Sequence, residues 1–169
     1  MQVTNLQELL QHELLDLYSA ENQIIEALPK MIEAADDEKL AKALRDHLAV
    51  TEKQLERLTE IHNDLPFIED TYVCVGIKGI LTEGEKSLKD VTNPSIMDAA
   101  IIGGAERVEH YEMAAYEGAA QFARELGLDH IATQLETTMG EEKEAENSLT
   151  TLAKGGLFSK GLNEEAAEE

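Results

Sequence analysis

Residues 101–119 read IIGGAERVEHYEMAAYEGA, and the spacing within them decides the fold. Apolar or small residues recur at Ile101, Ala105, Val108, Ala115 and Ala119, three and four apart, which is one face of an α-helix. The position that completes this stripe is Glu112, an acid at the centre of a face whose pattern asks for burial.

Three further segments repeat the arrangement. The first opens at Thr4, with Gln7 three residues on as a capping-box pair. Its stripe runs Leu10, Leu14, Leu17, Ile24 and Leu28, with Glu21 in register, and Pro29 is expected to kink or end it. The second runs from about Asp37 to His62 on Leu40, Leu44, Leu55, Leu58 and Ile61, with His47 and Thr51 on the inner face. The helix containing residues 101–119 is expected to start at a Ser95–Asp98 cap pair and to stop at Gly127. The last runs from about Asp129 to Lys154 on Ile131, Leu135, Leu149 and Leu152, with Glu142 in register, and Gly155 and Gly156 close it.

Between the two helix pairs, residues 71–91 form a less regular stretch read as a shorter helix in a long connection. Short loops make antiparallel neighbours, and one long crossover between two hairpins is the connectivity of ferritin-like bundles. The fold class is therefore all-α: a ferritin-like four-helix bundle with a short fifth helix in the crossover. An offset of about 91 residues superimposes Glu21 on Glu112, Leu44 on Leu135 and Thr51 on Glu142, a degenerate repeat that supports two related hairpins. The bundle is assigned to residues 1–156 and a flexible acidic tail to 157–169, fraying from Asn163.

Composition excludes several function classes. Fourteen basic against thirty-five acidic residues leave a net charge of -21, which repels nucleic-acid backbones and anionic membranes. The same charge leaves an acidic nucleic-acid mimic as a minor reading. Cys74 is the single cysteine, so no intramolecular disulfide is expected. No stretch reaches the roughly 18 apolar residues of a membrane span, and the first residues lack a signal-peptide layout. A cytoplasmic protein is expected.

The informative feature is what interrupts the stripes. Glu21, Glu112 and Glu142 lie on three inner faces, His47 and Thr51 on the fourth, and Glu109 and Glu146 at the edges of theirs. Counted from the loops at about 1.5 Å per residue, these positions converge near one level at mid-bundle. Carboxylates gathered away from water need shared protons, cationic partners or a bound cation. No Lys or Arg lies in the stripes at that level. Carboxylates and a histidine on facing helices are the ligands of di-iron and di-manganese bundles. The bland reading is a polar core kept neutral by protons. Tyr18 and Tyr116, each a turn from a core Glu, are placed to bond a carboxylate or to fill space.

The segments Asp16–Gln23 (DLYSAENQ), Arg107–Tyr116 (RVEHYEMAAY) and Glu141–Lys143 (EEK) resemble the bacterial YciE/YciF stress-protein family over nearly the whole chain. That resemblance implies a ferritin-like homodimer linked to bacterial stress, with a rubrerythrin-like metal centre. Rubrerythrins pair two glutamates three apart on the third helix, as Glu109 and Glu112 stand here; Glu142 and Glu146 fit their fourth-helix pair, with Glu in place of His. Relatives carry an acid beside the second-helix threonine, whereas this chain reads His47-Leu-Ala-Val-Thr51. The second-helix carboxylate is missing, which disfavours a symmetric two-metal centre.

The expectation is a stress-associated protein binding one or two ions of iron or manganese. The ligands would come from Glu21, Glu109, Glu112, Glu142, Glu146 and His47, and peroxide- or oxygen-linked redox activity enters by fold analogy. The alternative is a non-enzymatic helical dimer, an interaction module whose site has degenerated.

Overall fold

In the computed structural model, which describes residues 3–67, 71–155 and 160–168, the chain forms helices and no strand among those residues. In order they are α1 (Leu6–Ala34), α2 (Glu38–Asp64), α3 (Val75–Lys89), α4 (Pro94–Glu125), α5 (Asp129–Lys154) and α6 (Leu162–Ala167).

Local chemistry sets the helix ends, not always at the expected residue. The α1 cap is Asn5, whose side chain accepts from the Glu8 amide at 2.9 Å, while Glu8 reaches back to the Thr4 amide and hydroxyl. The pair is thus Asn5–Glu8 rather than Thr4–Gln7. Pro29 does not end α1, which continues to Ala34. Asp37 caps α2 by accepting from Lys39 and Leu40 amides. Asn93 caps α4 and Pro94 fills the first turn, where a missing N–H costs nothing.

Asp98, expected in that cap, instead accepts from the Asp36 and Asp37 amides at 2.8 and 2.9 Å, tying the α1–α2 loop to the start of α4. Gly127 and Gly155 stop α4 and α5 with φ of 71° and 70°, a left-handed conformation that glycine adopts without Cβ strain.

These anchors fix the topology. Helices α1–α2 and α4–α5 are two hairpins; α1 runs antiparallel to α4, and α2 antiparallel to α5. The crossover between them carries α3 across α1 and α4. It is pinned by Asp16, which accepts from Tyr72 Oη at 2.9 Å, Tyr111 Oη at 2.8 Å and Cys74 Sγ at 3.0 Å. Cys74 is fully buried and also caps α3. Beyond the boundary at Gly156, which lies outside the described residues, α6 sets Leu162 against the block containing Leu149 and Ala153.

Two apolar blocks fill the bundle. One, at the open end of the first hairpin, holds Leu10, Leu14, Leu58, Ala119 and Leu135. The other, at its loop end, holds Ile24, Leu28, Leu40, Leu44, Ile101 and Leu149. Between them lies a polar layer: Glu21, Thr51, Gln54, Glu109, Glu112, Thr138 and Glu142, each no more than 2% exposed. Burying each large aliphatic side chain contributes roughly 1.5–3 kcal/mol, and this offsets a layer that by itself opposes folding.

Candidate metal centre

Every helix of the bundle sends a side chain into the polar layer. Helix α2 contributes His47, α5 contributes Glu142, and α4 contributes Glu109 and Glu112, one turn apart and so on one face. One ligand atom from each of these four residues lies within 4.8 Å of all the others. His47 Nε2 is 3.4 Å from Glu109 Oε1, and His47 Nδ1 is 4.0 Å from Glu142 Oε2.

Glu21 of α1 is equally buried but is engaged elsewhere. Its Oε1 accepts from the hydroxyl of Tyr116, itself fully buried, in a very short contact. It stands beside the four-residue group rather than within it.

Burial dominates the electrostatics. Desolvation, and then the charge of Glu142, hold Glu21 and Glu109 well above the ordinary carboxyl range. Glu112 is raised by desolvation and then by Glu21 and Glu142. Glu142 is pushed up to about 7, again by burial, with the nearby polar groups of Glu109 and Gln54 and the charge of Arg57 opposing the rise. Burial lowers His47 to about 4, so the imidazole is neutral at pH 7 and offers a lone pair.

Eight buried side-chain atoms have no hydrogen-bond partner among the described residues, and six belong to His47, Glu109, Glu112 and Glu142. Buried polar atoms are ordinarily satisfied, so such a concentration needs an explanation. Protons retained by the buried acids are one partial remedy. A cation is another, and the donor set fits it: three carboxylates and one neutral imidazole match the mixed oxygen and nitrogen preference of iron and manganese.

Glu109, expected at the edge of its stripe, is 2% exposed and joins Glu112, Glu142 and His47. Glu146 stays half-buried at the periphery, accepts from Thr150 Oγ1 at 2.9 Å, and acts on Glu109 through its charge. Thr51 is buried at the level of the acids, and its hydroxyl donates to the His47 carbonyl at 3.0 Å.

Sequence reading missed Arg57. Its guanidinium makes a two-pronged contact with Glu141 at 2.9 and 3.0 Å, bonds Thr138, and favours the ionised forms of Glu21 and Glu142. Its Cα lies outside the apolar stripe, and only the length of the side chain brings the charge inward. The remaining histidines stand apart: His12 packs edge-on to Tyr72, His62 accepts from the Phe67 amide, His110 is exposed, and His130 pairs with Asp64.

Comparison with known proteins is consistent across the chain. The family described as "Domain of unknown function (DUF892)" matches residues 5–167. Protein YciF of Escherichia coli strain K12 is 34% identical over 164 residues, covering 96% of this chain and 99% of that protein. The solved structure of that stress protein superposes with a TM-score of 0.84 over 89% of this chain and 95% of its own. YcfI of Rhodopseudomonas palustris, described as a proposed structural protein, is 40% identical with a TM-score of 0.86, covering 89% of this chain and 96% of its own. A protein of Xanthomonas campestris pv. campestris, at 19% identity and a TM-score of 0.69, shares the fold.

Proposed function

The chain belongs to the DUF892 family, and on that premise we propose that it is a metal-binding bundle protein of the bacterial stress response. Iron or manganese is held by His47, Glu109, Glu112 and Glu142, with Glu21 and Glu146 assisting. The observation that carries this reading is the set of six unpartnered buried ligand atoms on those four residues.

The chain's own groups prepare the site. His47 is neutral at physiological pH and can ligate without losing a proton. Glu109, Glu112 and Glu142 hold protons above their ordinary range, so a cation must displace protons to bind. Tyr116 fixes one oxygen of Glu21 and leaves Oε2 bare. Arg57, held by Glu141, tempers the negative charge from one side. A bound iron or manganese ion would supply redox chemistry toward peroxide or oxygen.

A homodimer and a cytoplasmic location belong to the same reading. Val75 and Ile96, 79% and 44% exposed, are apolar positions where a second copy would be sought by light scattering. The second reading, an interaction module with a degenerate site, draws support from Ala49 and Val50, which leave α2 with no carboxylate beside Thr51 on the side toward His47.

Anaerobic Fe(II) titration of the metal-free protein separates the two. Binding of one or two ions per chain with a raised Tm, both lost in Glu142→Ala, is expected. Absence of saturable binding in the parent protein leaves the interaction module.

A further inference from the structure

Where the α2–α5 seam passes the cluster it is lined by small side chains, Ala43, Ala145 and Ser148, with Val50 beside them. Small residues on facing helices leave a groove of about 190 Å³, room for several waters. Its inner wall includes His47 and Glu109, whose side chains are 9% and 2% exposed. His47 Nε2 and Glu109 Oε2 have no hydrogen-bond partner. At the mouth stand Asp46, Glu141 and Glu144, of which Asp46 pairs with Lys42 and Glu141 with Arg57, so three acids face two bases.

We propose that this groove is the port by which a small hydrated divalent cation reaches the cluster, and that it turns anions away. The inference rests on the metal-binding reading above. The other approaches are unsuited to a hydrated ion. On the α1 side, Glu21 and Tyr116 are fully buried against one another. On the α1–α3–α4 side the void that touches His47 and Glu109 is about 10 Å³, walled otherwise by apolar residues such as Ile24, Leu28 and Val108, and scarcely holds one water. The cavities of about 70 and 170 Å³ on that side reach none of the four ligands. A mouth of net negative charge on a chain of charge -21 concentrates cations before they enter.

The test is anaerobic stopped-flow mixing of Fe(II) with metal-free protein, followed by tyrosine fluorescence, with stoichiometry measured separately at equilibrium. Ala145→Phe, which fills the groove and replaces no ligand, should lower the association rate about tenfold or more and leave stoichiometry unchanged. Ser148→Phe, at an exposed position, supplies the same plug should Ala145→Phe fail to fold. Glu144→Gln should slow association about two- to threefold at low salt, an effect lost near 0.5 M salt. Parent-like rates in the folded plugged protein and in Glu144→Gln would overturn the port while leaving metal binding intact. A parent protein that takes up no Fe(II) at equilibrium overturns both readings.

Discussion

Glu112 is 1% exposed, and neither of its oxygens meets a donor. Holding such a carboxyl above its ordinary range costs stability once the pH passes the value at which the unfolded chain releases the proton. Glutamine keeps the shape and cannot ionise. Glu112→Gln should therefore stabilise the metal-free protein at pH 8, read as a higher urea midpoint, while abolishing Fe(II) binding. A purely structural glutamate would give the opposite sign for stability. The inward position of Glu21, Glu112 and Glu142 was legible because each completes an apolar stripe. Glu109 was underrated because a bundle buries an arc wider than one stripe, so the residue one turn away also faces inward. Arg57 was illegible for a different reason: periodicity places Cα atoms, and a guanidinium acts several ångströms from its own.

At the scale of elements, helix number, order and crossover were legible from apolar spacing, while the side chains that join elements were not. Asp98 reads as a local cap because it follows Ser95, yet it is 3% exposed and holds the amides of Asp36 and Asp37 across the bundle. No spacing rule couples residues more than sixty positions apart. Likewise Cys74 belongs to a residue type rarely expected as a cap, and the Asp16 hub that holds it depends on the packed crossover. Removing the Asp98 carboxylate leaves two amides in a part-buried loop without their acceptor. Asp98→Ala is expected to cost about 2–4 kcal/mol, read as a lower urea midpoint with unchanged slope. Asp98→Asn, which keeps one acceptor oxygen, should lose roughly half as much.

Across the whole molecule, the buried acids and the acidic surface both make stability depend on pH, and salt tells them apart. Glu142 keeps its proton in the folded state up to about pH 7, whereas the unfolded chain releases it near 4.5. Between those values the folded state binds more protons, so stability falls as pH rises; for Glu142 alone the loss is about 3 kcal/mol. Glu21, Glu109 and Glu112 shift in the same direction and add to the loss. His47 acts oppositely, since its folded value of about 4 lies below the ordinary 6.5, and its contribution is lost as pH falls through that interval. The four acids outweigh the single histidine, so the metal-free protein should lose stability steadily from about pH 5 toward pH 8. Surface repulsion among the excess acids has the same sign, but about 0.5 M salt largely screens it and leaves the buried part in place. Denaturant titrations from pH 5 to 8 at high salt should retain the decline in the metal-free protein and lose it after Fe(II) loading, because the cation replaces the protons. A decline that disappears with salt alone would trace the effect to the surface and remove the buried acids from the account.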